Sequence, residues 1–472
     1  MTESTSPDDL LPLVEPGPPG VDPVAAFRRL AGRRGLLFLD SALRDPGIGR
    51  YSYVAAEPFE WIEACVGGAD PLAAVASFCD RYHAGARPDA PPFQGGLAGL
   101  LSYDLAGSLE RLPRPRHDDL PCPALALGGY DVVLAFDHAA GKSWIVSQGF
   151  PEADPRARLE RARARSAEFR TWLRTAPAPT QDGRVPPTPR AALAPQFDVG
   201  AHGVTSNLSA QGYRQMVERA VEYIRAGDLF QVNLAQRLLA PAATSSAELY
   251  LRLRDRNPAP YAGYFDLGQI QIASASPESF LALSGRRVET RPIKGTRGRM
   301  LRPEADLFAG DELITSEKDR AENVMIVDLM RNDLSRVCLA DSVRVEQLCG
   351  LESYAYVQHL VSTVAGTLRP ECGPVDLLRG AFPGGSITGA PKIRAMQVIA
   401  ELEPTARGPY CGSLGYIGFN GAMQASILIR TITACQGWWQ LPVGGGIVAQ
   451  SDPDDEYRET WHKARGLLQS LA

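Results

Sequence analysis

Lysine is scarce in this chain. Of 49 basic residues only five are lysine: Lys142, Lys294, Lys318, Lys392 and Lys463. Arginine keeps its proton inside proteins, whereas lysine can be tuned into a nucleophile or base. Each retained lysine is therefore a candidate for chemistry that arginine cannot do, although Lys142, in the turn-like Gly141-Lys142-Ser143, fits a plain surface position. Cysteine occurs at eight scattered positions with no CxxC pair, which argues against a disulfide framework or a zinc site and fits reduced thiols in the cytoplasm. There is no dense basic block and the net charge is −5, so a nucleic-acid partner is not expected. No apolar run is long enough to cross a bilayer, which argues against a membrane protein. The start, Met1 to Gly20, is acidic and proline-rich and lacks the basic and apolar regions of a signal peptide.

What is present is a chain of 472 residues, 44% apolar, able to bury a large core. Composition divides it into a flexible N-terminus (1–20), a first domain (21–175), a proline-rich linker (176–204) and a more densely patterned second domain (205–472). Leu36–Leu39 and Tyr130–Phe136 read as strands in the first domain, and the glycine-punctuated stretch from Pro92 to Gly99 as a strand or close-packed turn. Pro155–Leu173 reads as an exposed helix. In the second domain, helices are expected over Tyr213–Ala226, from a Ser316 cap through Met330, from Ala390-Pro391 to about Leu402 and from about Asp454. Strands are expected at Phe230–Leu238, Ser413–Phe419, Ala425–Thr433 and Trp438–Val443. Many strands joined by turns, with helices in between, point to an α+β fold of antiparallel sheets covered by helices.

Several residue groups could carry chemistry. Glu456 and Glu459 are three apart on the last helix, which puts both carboxylates on one face and suits magnesium; the same spacing serves a solvated acidic first turn. Glu322 and Glu278 are each single carboxylates, one in a helical stretch and one in the turn Ser276-Pro277-Glu278. The loop from Pro383 to Pro391 runs into a helix N-terminus, a place attractive to anions, but it lacks the lysine spacing of a nucleotide P-loop. The triplet Gly444-Gly445-Gly446 permits close backbone approach to a ligand, or a tight hairpin.

Taken in order, these pieces resemble one family, the chorismate-utilising enzymes that form anthranilate, aminodeoxychorismate, isochorismate and salicylate. The resemblance covers about residues 205–468. It is carried by Gly227–Leu234, Ser276-Pro277-Glu278, Arg291-Pro292-Ile293-Lys294-Gly295-Thr296-Arg297, Ala321-Glu322-Asn323, His359–Ser362, Phe382–Lys392, Arg430-Thr431, the glycine triplet and Glu456–Lys463. Phe38-Leu39-Asp40-Ser41 and Gln94–Asp104 extend it more weakly into the first domain. It implies a four-layer α/β/β/α sandwich with two antiparallel sheets packed face to face. It also implies Mg2+ held by Glu322 and Glu459, with Glu456 direct or through water. The metal would take the ring carboxylate of chorismate, while Tyr410, Arg430 and the backbone at Gly444, Gly445 and Gly446 take the enolpyruvyl carboxylate. Gly295 and Thr296 would lie beside the substrate, Lys463 would add a charge, and Ser386 and His359 would line the reacting ring.

Two positions separate the branches of that family. Water-adding members carry lysine where this chain has Gln231, which has no base function. The anthranilate branch usually shows Pro-Ile-Ala-Gly where this chain has Pro292-Ile293-Lys294-Gly295, the aminodeoxychorismate pattern; the anthranilate-forming branch is the nearest alternative. The resemblance then implies covalent catalysis: Lys294 attacks C2, Glu278 is the general acid for the departing C4 hydroxyl, and ammonia attacks C4 and expels the lysine. It further implies a glutamine amidotransferase partner that supplies ammonia, and a separate lyase downstream on the route to 4-aminobenzoate and folate. Some relatives hold an amino-acid effector, and Ser41, Pro260 and Tyr261 fall in the matching region.

Overall fold

The computed structural model describes residues 11–44, 48–175, 187–200, 203–299, 302–354 and 357–471. Among these residues two antiparallel sheets, of 13 and 10 strands, stack face to face with helices outside each. This is the expected four-layer α+β sandwich. Between the sheets lies a layer of large apolar side chains drawn from both, including Phe93, Tyr130, Phe265, Leu414 and Tyr416. On one outer face Phe27, Tyr250, Leu253, Ala464 and Leu467 tie three helices to the larger sheet. On the other, Phe78, Ile326, Met330 and Leu378 do the same for the smaller. Side chains alternate across each sheet, and both faces are covered, so long apolar runs replace a clean apolar and polar alternation.

Both composition segments supply strands to both sheets. Leu37–Asp40, from the first, pairs with Tyr261–Asp266 of the second in the larger sheet. In the smaller sheet Gly96–Leu101 pairs with Ser413–Gly418. Of the segment expected to be flexible, residues 1–10 lie outside the described residues, but Leu13–Pro16 is an edge strand against Lys142–Ser147. Flanking prolines are compatible with an edge, where one row of N–H groups is unpaired anyway. Of the expected linker, 176–186 and 201–202 lie outside the described residues, and Phe197–Asp198 pairs with Thr205–Ser206.

Two stretches that read as single strands are each two strands in different sheets. Tyr130–Phe136 divides into Leu125–Tyr130 of the smaller sheet and Val132–Asp137 of the larger. The residue at the crossing, Asp131, is buried; Arg165 Nε donates to both its carboxylate oxygens at 3.2 Å, and Arg161 pairs with Oδ2 at 3.8 Å. Ala425–Thr433 likewise divides into Met423–Ile427 and Thr431–Cys435. There the crossing residue is Arg430, at φ 52°, a left-handed conformation unusual outside glycine. The glycine triplet forms no hairpin. It continues the strand Trp438–Ile447, with Gly444 opposite Ala235, Gly445 opposite Leu234 and Gly446 opposite Asn233. A Cβ on Gly444 would sit 2.2 Å from the Leu234 carbonyl, so only glycine lets these strands pair. The helix after the Pro383 loop is Lys392–Leu402, with Pro391 as its N-cap rather than inside its first turn.

Candidate active site

Strand ends and sheet crossings open a cleft of about 790 Å³ on the second half of the chain, within the range of small-molecule sites. Lys294 and Gly295 enter it from the strand Ile293–Gly298. Gly295 is at φ 71°, and a Cβ there would lie 2.7 Å from Leu313 and 3.1 Å from Asp319, so the helices Pro303–Thr315 and Glu317–Ser335 close directly over the lysine strand. Thr296 belongs to the same strand, but its side chain lies outside the described residues.

Glu278, 5% exposed, follows the strand Ile270–Ser276. Burial pushes its carboxyl up to about 7, against the opposing pull of a Ser386 hydrogen bond, the Lys294 charge and the Ile293 amide. The Lys294 amine is pushed the other way, below the ordinary lysine range, by burial, although Glu322 and Glu278 oppose it. Low dielectric favours the uncharged form of both groups. Ser386 bridges them, because Lys294 Nζ donates to its carbonyl at 3.4 Å while its side chain hydrogen-bonds Glu278. The same carbonyl accepts from Asn233 Nδ2 at 2.8 Å. His359 is 6% exposed, and burial pulls its imidazole down to about 4, so it faces the cleft neutral.

The rest of the lining carries charges of both signs. Arg430, placed by the sheet crossing, donates from Nη1 to the Lys463 carbonyl at 2.6 Å, and Tyr410 lines the cleft beside it. Lys463 Nζ donates to the Gly444 carbonyl at 2.8 Å and pairs with Glu459 Oε1 at 2.6 Å. Burial raises Glu459, but that ion pair overcomes it and leaves the carboxyl below its usual range. Glu322 also lines the cleft, and burial raises it. Glu456 sits behind, 4% exposed, its Oε1 accepting the Ser451 hydroxyl at 2.7 Å. A Cβ on Gly445 would be 3.2 Å from Glu456 Oε2 and 3.5 Å from Glu459 Oε1, so that glycine faces the acidic group rather than the cleft. Three carboxylates are a donor set suited to a hard divalent cation. Among the described residues, however, no three ligating side chains already stand close enough to hold one. Gly446 lines the cleft as expected.

Ser41, Pro260 and Tyr261 come together in a second cavity of about 290 Å³, separate from the cleft apart from the shared Pro260.

One functional element was not read from the sequence. Arg407 and Glu403, with side chains 3% and 5% exposed, form a buried pair at 2.6 Å. Glu403 accepts the Ala235 amide at 2.9 Å. Arg407 donates to the carbonyls of Ile387 at 3.1 Å and Asn233 at 2.8 Å. The pair therefore pins the Ser386 loop to the glycine-facing strand. The i,i+4 spacing was visible, but it falls beyond the end of a helix, where spacing carries no information about facing. Arg407→Leu should destabilise the protein by about 3–5 kcal/mol in urea denaturation, because Glu403 would remain buried without its partner.

The chorismate binding enzyme profile matches residues 44–469. Anthranilate synthase component 1 of Thermus thermophilus is 41% identical over 461 residues, 95% of each chain. Aminodeoxychorismate synthase component 1 of Escherichia coli is 38% identical over 462 residues, 94% of this chain and 95% of that one. Among solved structures, anthranilate synthase component I of Streptococcus pneumoniae superposes with a TM-score of 0.76 at 31% identity, covering 89% of this chain and 92% of the other. With this profile match spanning nearly its whole length, the chain belongs to the chorismate binding enzyme family.

Proposed function

We propose that this enzyme aminates chorismate at C4 to give 4-amino-4-deoxychorismate, the precursor of 4-aminobenzoate in the folate route. The observation that carries the reading is Lys294: a lysine, in a chain that otherwise uses arginine, held in a buried cleft that favours its neutral amine.

The chemistry follows from two groups, Lys294 and Glu278, that burial moves toward their neutral forms. The Lys294 lone pair forms a bond to C2, both ring double bonds shift by one position toward C4, and the C4–O bond breaks. Glu278, protonated up to about pH 7, gives its proton to the leaving oxygen, which departs as water. Ammonia then bonds to C4, both double bonds shift back, and the lysine nitrogen leaves C2 with its bonding electrons. Splitting one allylic displacement into two is the gain from a covalent intermediate. Arg430 and Tyr410 suit the enolpyruvyl carboxylate, Arg430 through its planar fork of donors. Neutral His359 can orient the ring or its hydroxyl without adding charge. Glu322 and Glu459, with Glu456 behind, would hold Mg2+, which when bound supplies Lewis-acid polarisation and a partner for the ring carboxylate. The "component 1" in the relatives' names supports a second component; a glutamine amidotransferase would deliver the ammonia, and a separate lyase would release 4-aminobenzoate.

Incubating the protein with chorismate, Mg2+ and ammonia and identifying the product by mass spectrometry tests this. Aminodeoxychorismate should accumulate, and 4-aminobenzoate should appear only when a lyase is added. Fluorescent anthranilate formed without any lyase would overturn the reading.

A further inference from the structure

Two helices contribute charged side chains to the cleft and the acidic group behind it. Pro453–Ser470 presents Glu456, Glu459 and Lys463, and Glu317–Ser335 presents Lys318 and Glu322. Lys318 and Glu322 are four residues apart and so share a helix face. Both line the cleft, as do Glu459 and Lys463. Lys318 is close enough to act on Glu322, Glu456 and Glu459 alike. Lysine is also poorly placed there on local grounds, since the first turn of a helix disfavours a cation. The carboxylates nearby, Glu317 and Asp319 of the same turn included, offset that cost.

Charge counting sharpens the point. The three glutamates carry −3 when ionised, and Lys318 and Lys463 return +2, while Lys294 is driven toward neutrality. The acidic group is thus nearly balanced by lysines and, among the described residues, is not gathered into a coordination shell. The two lysines differ in freedom. Lys463 is held by Gly444 and Glu459 at 2.8 and 2.6 Å, whereas Lys318 is exposed, two residues past the Ser316 junction between helices Pro303–Thr315 and Glu317–Ser335.

We infer that Lys318 is a built-in counter-ion to the acidic group, occupying its field in the metal-free protein and giving way when a divalent cation binds. This rests on reading Glu322 and Glu459 as metal ligands. Lys318 then sets the affinity for the cation instead of taking part in the chemistry.

The test is Mn2+ binding to the full chain without substrate, followed by the loss of free-ion EPR signal, with Mg2+ as competitor. Removing a cation from this field should tighten binding of another, so Lys318→Gln should bind Mn2+ about three- to tenfold more tightly. Lys318→Arg should bind as the unaltered protein does. In thermal melts the metal-free Lys318→Gln protein should melt lower than the parent, and saturating Mn2+ should close that gap. Equal or weaker Mn2+ binding by Lys318→Gln, in a background where Glu322→Gln still abolishes binding, would overturn the counter-ion role alone. No binding by the parent protein would overturn the ligand assignment and the inference with it.

Discussion

Lys294→Arg should abolish amination while leaving chorismate binding within a few-fold of the parent. The substitution keeps a basic group on a somewhat longer side chain, so a lysine acting only through positive charge would be replaced with little loss. Arginine, however, keeps its proton under all ordinary conditions, whereas burial pushes the Lys294 amine toward its neutral, nucleophilic form. Loss of the covalent route should lower kcat by about 10³-fold or more, the scale seen when an enzyme loses its nucleophile. Steady-state rates with chorismate, Mg2+ and ammonia, beside a direct measurement of chorismate affinity, separate the two effects. Turnover within tenfold of the parent would remove the nucleophile role.

Glu278→Gln should cost about 10²- to 10⁴-fold in kcat, the range for a general acid, and should also change the shape of the pH profile. The Glu278 carboxyl sits at about 7, so its protonated share falls as pH rises through that value. Lys294 needs the opposite change, because its neutral share grows with pH. The parent rate, referred to the concentration of free NH3, should therefore be bell-shaped, with the alkaline limb belonging to the acid. Glutamine cannot ionise, so the residual activity of the variant should lose that limb and keep the acidic one. An unchanged alkaline limb in Glu278→Gln would assign it to another group.

The cleft explains why these two groups can work together. Neither Lys294 nor Glu278 would be useful in its ordinary state at neutral pH, where one is an ammonium and the other a carboxylate. A single cause, removal from water, moves both toward what the reaction needs. Ser386, held by Asn233 and by the loop that Arg407 pins, stands between them.

Much of this was legible along the chain because it depends on local spacing. The cap at Ser316, which accepts the Asp319 amide at 3.3 Å, starts its helix where expected. The Glu456 and Glu459 spacing placed both carboxylates on the last helix. The scarcity of lysine singles out Lys294, Lys318, Lys392 and Lys463; three of them line the cleft, whereas Lys392 pairs with Asp333 at 2.6 Å away from it. Less legible were the crossings at Asp131 and Arg430. A strand covered on both faces is apolar on both, so no change of alternation marks where the chain leaves one sheet for the other.

The sequence alone determined the residue types and their order, and therefore the family, the helix starts and the candidate acids and amines; these follow from short-range chemistry. Only the tertiary structure decided which of them share a water-poor space: that Arg430 turns into the cleft at a sheet crossing, that Gly445 faces the carboxylates, that Glu456 lies behind them, and that Arg407 is buried against Glu403. Protonation state is set by that shared burial, which joins residues from distant parts of the chain and has no signature in any local stretch of it.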